Sequence, residues 1–459
     1  MEFFAREEEI QNLREIRVKS HEFSKMTVVT GRRRVGKTEL VKHALNDGVD
    51  KFVYLLITRQ EEKPLCAGLQ QEAIRAMGRP FPGTIEKFSE LFKAICEYAT
   101  EEPITLVLDE FQEFDKINPG VFGEVAGIWD AFHNRAKLNL VVCGSVNRLM
   151  NKVFFNYGEP LYGRNTGRLH LEPFKISVLK RIFSAFNPDY DNDDLLALWM
   201  LTGGVARYVE LLMENGALTR DAMFKTVFGG ISSFVDEGRI VLAEEFGSEY
   251  MTYFSVLSAI ASGATTYGEI TNAVGTDVGT YLSNLEKNYS LVVRRVPLFD
   301  PVKGRNSTYS IDDCFFRFWF RFVFKYQYLI ELRRYEELRE IAERDYAVFS
   351  GFSLELFFRR KFIEESRCTR LGGWWDRKGE NEIDLVVDDE FAEKIEFVEI
   401  KRDASRISLA ELKEKSEAFF ANTRFSTSLT KLPESERTST PFSFTRAIAS
   451  STKSFSSCS

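Results

Sequence analysis

The sequence predicts an α/β protein built on a parallel sheet, with further helical and α/β parts behind it, and three observations carry this. A glycine-containing loop, "GRRRVGKT" at 31–38, sits between the apolar run Met26-Thr27-Val28-Val29 and the helix-forming "TELVKHAL". Two more continuous apolar runs, "ITLVL" at 104–108 and "LNLVVCGS" at 138–145, have the make-up of strands covered on both faces. Near the C-terminus, "NEIDLVV" and "FVEIK" read as a second set of strands.

The loop comes first. Gly31, Gly36, Lys37 and Thr38 fit G-x-x-x-x-G-K-[ST] with strand before and helix after, the setting of a phosphate-binding loop in a P-loop NTPase sheet. The glycines let backbone N–H groups turn inward toward phosphate oxygens, and the next helix presents its positive end to the same anion. Lys37 is expected to reach the β and γ phosphates and Thr38 to ligate Mg²⁺. Gly31, Arg32, Arg33, Arg34, Val35, Gly36, Lys37, Thr38 and Glu39 are the expected ATP-binding stretch. The three arginines read as solvated loop charges with a modest attraction for a polyphosphate.

Such a loop needs a carboxylate on a neighbouring strand. Asp109 and Glu110 close the 104–108 run. Asp109 is expected to hold Mg²⁺ through water and Glu110 to polarise the attacking water, so hydrolysis is expected and not binding alone. The 138–145 run ends in Ser145, with Asn147 close behind, where a polar side chain senses the γ-phosphate. Arg164 and Arg168 follow in "PLYGRNTGRLHLEPF". Arg164 is the candidate to reach the γ-phosphate of its own or a neighbour's nucleotide, beside the plainer reading of a surface arginine.

These segments, with "FFAREEEIQNL" at 3–13 and "LTGGVARYVELL" at 201–212, resemble the AAA-related ATPases of archaea and bacteria, close to the signal-transduction ATPases with numerous domains. The resemblance implies that the F-x-R-E opening lies beside the adenine and that a Gly-Gly-x-Pro segment in a small helical lid closes over the nucleotide. Here Gly203-Gly204-Val205-Ala206 lacks the proline. The expected ATPase core covers 1–170 and the lid 171–245.

Residues 246–312 read as a winged helix: "FSVLSAIASG", "TYGEITNAV" and "DVGTYLSNLEKN" as three helices, then "SLVVRRV" and "STYSI" as strands flanking a wing with Pro301, Lys303, Gly304 and Arg305. DNA reading calls for basic side chains on the third helix, yet Lys287 is its lone basic residue against Asp277 and Glu286. Arg294, Arg295, Lys303 and Arg305 cluster near the wing, where they can touch phosphates without reading sequence. A DNA partner and a protein partner both stay open. The aromatic run "CFFRFWFRFVF" at 314–324 has helical spacing and reads as a buried face; it opens an expected helical linker over 313–345.

In the expected C-terminal domain, 346–425, strand alternation puts Glu399 and Lys401 on one face, and a hairpin brings Asp384 alongside. Two converging carboxylates, Asp384 and Glu399, can hold Mg²⁺ or Mn²⁺ while a lysine orients hydroxide. Glu355, on the preceding helix-like "FSLELFFRRKF", completes the set. This pattern resembles the core of the restriction-endonuclease-like nucleases, and "GGWWDRKGENEIDLVV…VEIK" resembles the C-terminal domain of unknown function that accompanies these ATPases. From 426 to 459 half the residues are Ser or Thr with no apolar period, so a disordered tail is expected.

At 459 residues the chain has room for several domains. Six scattered cysteines and four histidines suggest neither a disulfide framework nor a zinc site and fit a reducing cytoplasm. No apolar run is long enough to span a bilayer. A net charge of -7 argues against a surface that coats nucleic acid as a whole. Two functions follow: an ATPase coupled to a nuclease-like domain acting on DNA, or a signalling ATPase whose nuclease-like domain is an inactive, protein-binding scaffold. Either is compatible with an oligomer.

Overall fold

A computed structural model describes residues 3–449 except 82, 146, 231, 301–306, 366–367, 377, 393 and 424–445. Five parallel strands form one sheet: β1 (Lys25–Thr30), β2 (Lys51–Leu56), β3 (Ile104–Asp109), β4 (Leu138–Gly144) and β5 (Gly167–His170), in the order β2-β3-β4-β1-β5. Every residue of β3 and β4 is buried, which is why both read as unbroken apolar runs. The register sets Thr30 against Gly144, so the loop after β1 and the ends of β3 and β4 open at one carboxyl edge. Open parallel sheets bind ligands at that edge.

The chain divides into two compact units, residues 2–173 and 174–459. The second begins with five helices, Ile176–Phe186, Asn192–Thr202, Ala206–Glu214, Arg220–Val227 and Phe234–Phe246. Asn192–Thr202 starts at a capping box between Asp191 and Asp194 and ends at Gly203, and its residues from Leu195 to Thr202 are all buried. Gly203 and Gly204 both have left-handed backbone, φ 55° and 78°. A side chain at Gly204 would stand 2.4 Å from the Phe174 carbonyl oxygen, so this turn admits only glycine there.

Three helices, Tyr250–Ala261, Tyr267–Val274 and Gly279–Lys287, then lead into the antiparallel pair β6 (Val292–Arg295) and β7 (Thr308–Ile311). Pro301, Lys303, Gly304 and Arg305 lie outside the described residues. The aromatic run becomes helix Cys314–Phe318 and the wider π-helical turn Trp319–Phe324; Phe315, Phe316, Phe318, Trp319, Phe320 and Phe322 are buried, and Trp319 donates to the Val235 carbonyl at 2.8 Å. These rings build core.

Two expectations need correction. The helix Tyr335–Glu365 runs unbroken through the boundary placed at 345/346, because helix-forming residues continue across it and one face (Leu338, Ala342, Tyr346, Leu354, Phe357, Phe358, Phe362) stays buried from end to end. The second sheet is β8 (Arg370–Trp375), β9 (Glu382–Asp389), β10 (Lys394–Lys401) and β11 (Arg446–Ala449), in the order β11-β10-β9-β8. β11 falls inside the segment expected to be unstructured; it pairs in parallel with β10, whose other neighbour is β9, and takes up backbone groups that would otherwise lie at a sheet edge. The rest of that tail lies outside the described residues.

A polar cluster ties the C-terminal sheet to the five-helix part of the same unit. Arg402, one residue past β10, donates to Asp193 at 2.7 Å and to the Ser350 hydroxyl at 2.6 Å. Tyr346 donates to Asp193 at 2.9 Å, and Arg220 does so at 2.8 Å. Burial, then the Asp193 carboxylate, raises the pKa of the Tyr346 phenol.

Candidate functional site

The loop between β1 and the helix Lys37–Leu45 is wound tightly: Gly31 and Gly36 have φ 150° and 96°, and Arg34 is also left-handed at 68°. A side chain at Gly31 would lie 2.5 Å from the Leu171 carbonyl oxygen. Lys37 is buried and its ammonium donates to the carbonyls of Gly31 (2.8 Å) and Arg32 (3.1 Å), so the cation is held at the mouth of its own loop. Phe3 of the opening segment stacks on His43 of the following helix with ring centroids 4.1 Å apart, which brings that segment to the loop's own helix.

Thr38 and Asp109 meet directly: the hydroxyl donates to Oδ2 at 2.7 Å. Tyr54 of β2 donates to the same oxygen at 2.7 Å, and burial together with Asp109 raises the pKa of its phenol. A hydroxyl oxygen and a carboxylate oxygen at one point are the hard donors that Mg²⁺ takes, so these residues fit that ion. Glu110 has a left-handed backbone, φ 54° and ψ 36°, unusual for glutamate. Its carboxylate accepts from the Ser145 hydroxyl at 2.9 Å and from the amide of the buried Gln112. Arg164 forms a forked pair with Asp130, at 2.9 and 2.6 Å, and also bonds the Pro160 carbonyl. Arg168 lies over the Phe155 ring at 4.2 Å.

In the second unit, Asp384, Glu399 and Lys401 converge as strand alternation requires. Lys401 donates to Asp384 at 3.2 Å and pairs with Glu399 at 2.7 Å, while the Ile400 N–H donates to Asp384 at 2.7 Å. Burial raises the Asp384 pKa, partly offset by that N–H bond. Burial also opposes the charge on Lys401, but the two carboxylates outweigh it and raise its pKa. Glu355 stands in the helix Tyr335–Glu365; burial first, then the Asp384 charge, push its carboxyl up to about 7. Lys415, from the helix Leu409–Asn422, reaches Glu399 at 3.3 Å. Among the described residues no three His, Cys, Asp or Glu side chains form a group set to hold a metal. The fit for a divalent ion therefore rests on two carboxylates already converging on one cation, the Lys401 ammonium.

Residues 3–212 match the profile of an ATPase domain predominantly from Archaea, and residues 319–416 that of archaeal and bacterial proteins of unknown function. An uncharacterized protein of Methanocaldococcus jannaschii is 31% identical over 411 residues, which cover 87% of each chain. The chain belongs to this archaeal ATPase family. Among solved structures, the Walker-type ATPase of Pyrococcus abyssi aligns with a TM-score of 0.51 at 22% identity, over 70% of this chain and 96% of its own, and shares the fold. The ORC2 protein of Aeropyrum pernix, in ADPNP–ADP complexes, aligns at 0.46 and 14%, over 75% of this chain and 96% of its own.

In this ATPase the sequence-derived nucleotide residues Gly31, Gly36, Lys37, Thr38, Asp109, Glu110 and Ser145 gather at one sheet edge, joined by the bonds above. Arg164 is engaged by Asp130 instead. Sequence reasoning missed Tyr54 and Gln112, which bind the two acidic residues at the end of β3. Tyr54 had no signal beyond a hydroxyl in a neighbouring apolar strand; Gln112, two residues after Glu110, was within local reach. No helix among the described residues is long and apolar enough to cross a membrane.

Proposed function

We propose that this ATPase hydrolyses ATP with Mg²⁺ at the 31–38 loop and couples its nucleotide state to a nuclease-like C-terminal site that acts on DNA. The observation that carries the coupling is the convergence of Asp384, Glu399 and Lys401, with Glu355 nearby, in the same chain as the loop. In this reading Lys37 neutralises the β and γ phosphates, and Thr38 and Asp109 would hold a Mg²⁺ ion that would supply further charge neutralisation. Glu110 takes a proton from the attacking water, oriented by the Ser145 hydroxyl and Gln112. Asp384 and Glu399 would hold a divalent ion, which would supply Lewis acidity there, and Lys401, which now pairs with both carboxylates, would turn to orient the attacking water.

Three helices followed by an antiparallel pair support reading 246–312 as a winged helix, and its weakly basic third helix favours a protein or interdomain partner over base reading. The remaining domain limits and a cytoplasmic location belong to the same reading. In an assembled state Arg164 acts in trans only after leaving Asp130.

A second reading has its own observation: Lys401 already bridges both carboxylates, as in a scaffold that binds no metal. DNA cleavage by the purified protein with Mg²⁺ or Mn²⁺, with and without ATP, separates the two. Cleavage that responds to ATP and is lost in Asp384→Ala supports coupling. ATP turnover with no DNA cut in any condition removes the nuclease and leaves the scaffold.

A further inference from the structure

Beside the carboxylate site lies a cavity of about 300 Å³, walled by the β6 end, the segment after it, the helix Tyr335–Glu365 and strands β8 and β9. One side is acidic, with Glu355, Glu382 and Asp384; Arg294, Arg295 and Arg359 also line it. Arg294 is engaged by the Ser307 hydroxyl at 3.0 Å. Among the described residues neither the Arg295 nor the Arg359 side chain has a hydrogen bond or an ion pair within 4.0 Å, and the Arg295 Nε is buried without a partner. The two guanidinium groups lie within electrostatic reach of one another, and Glu355 and Asp312 act on them only at longer range without an ion pair, so their N–H donors stay open to an anion.

The far wall is fixed in place. The Leu298 N–H donates to the Gly373 carbonyl at 2.9 Å, adding a backbone bond to β8. Phe299 packs on Phe419 with centroids 5.8 Å apart, and Arg370 covers its ring at 5.3 Å. The segment that follows Arg295 is thereby tied to the C-terminal sheet, which fixes the backbone next to the arginine. Trp375 adds an aromatic surface on which a base can stack.

We propose that this cavity is a phosphate site, in which Arg295 and Arg359 hold the phosphate of a nucleotide unit beside the Asp384 and Glu399 carboxylates. The site is composite: the β6–β7 hairpin supplies one cation and the helix that bears Glu355 the other. The proposal rests on the nuclease-like reading for its substrate class, and the volume narrows that class. Space at the low end of small-ligand pockets takes one nucleotide unit, from a single strand or a free nucleotide, and not two paired strands. Guanidinium forks suit phosphate oxygens, and a cation on the facing carboxylates offsets their repulsion of the anion.

The test uses the full chain in a Lys37→Ala background, so that the 31–38 loop takes no part, with Ca²⁺ present. Anisotropy of a 5′-labelled single-stranded DNA oligonucleotide is titrated against the protein, then competed with dAMP. The expected result is binding that weakens about tenfold or more in Arg295→Ala/Arg359→Ala, the loss of charge-assisted bonds, and less in Arg295→Lys/Arg359→Lys. Melting curves that match the parent show that the variants fold. Competition by dAMP at low concentration assigns the site to a free nucleotide; arginine-dependent oligonucleotide binding that dAMP leaves intact assigns it to a strand. Unchanged binding in the folded double-alanine variant, or no binding of either probe by the folded parent, overturns the proposal. Arginine-dependent binding without cleavage in Mg²⁺ or Mn²⁺ defeats the nuclease reading and leaves the phosphate site standing.

Discussion

Replacing Glu355 by Gln should make the second unit more stable above neutral pH. In the folded chain this carboxyl titrates near 7, against the usual 4.5, because it is buried beside Asp384. A folded-state value above the unfolded one means that folding takes up a proton between those two values, so stability falls as pH rises through that window. At about 1.4 kcal/mol per unit, the penalty is roughly 1 kcal/mol at pH 5 and about 3 kcal/mol at pH 8. Glutamine keeps the shape and carries no charge at either pH. Urea unfolding followed by tryptophan fluorescence, with Trp374 buried in the second sheet, is the assay. The stability difference between variant and parent should grow by about 2 kcal/mol from pH 5 to pH 8. A difference that stays constant with pH would refute the claim that this carboxyl is held in its neutral form.

Three further outcomes are expected. Glu110→Gln should keep ATP bound while turnover falls about 100-fold or more, since a positioned base contributes that much; normal turnover in single-turnover kinetics moves the base elsewhere. Ser145→Ala removes the hydroxyl that donates to Glu110, so turnover should fall several-fold, on the order of one hydrogen bond, with ATP affinity unchanged in equilibrium binding. Asp193→Ala strips Arg402, Tyr346 and Arg220 of a shared acceptor and should cost about 2–4 kcal/mol in unfolding experiments. Adding Arg402→Ala should cost less than its own single effect; strictly additive losses would show that the pair is not coupled.

The nucleotide site was legible because its parts are local. Gly31 to Thr38 form one contiguous loop, and Asp109, Glu110 and Ser145 follow apolar runs that only doubly covered strands produce. Glu399 and Lys401 were legible through the two-residue period of a strand, and Asp384 through one hairpin. The Asp193–Arg402 bond was not, because its partners lie 209 residues apart and neither has a pattern that names the other. The left-handed Glu110 escaped for a similar reason: local propensity disfavours it, and the bonds around Ser145 and Gln112 outweigh that preference. β11 was invisible because four residues set among serines carry too little apolar period to stand out. The boundary at 345/346 has no counterpart in the structure, because the helix and its buried face run through it.

The ATPase account depends on the loop at 31–38 working on ATP. Phosphate release from ATP and Mg²⁺ by the purified full chain, compared with Lys37→Ala, tests it most directly. Turnover should be present in the parent and nearly lost in the variant, because the charge developing on the transferred phosphoryl group loses the cation now held by the Gly31 and Arg32 carbonyls. Equal turnover in the two proteins would contradict the assignment of this loop as the ATP site.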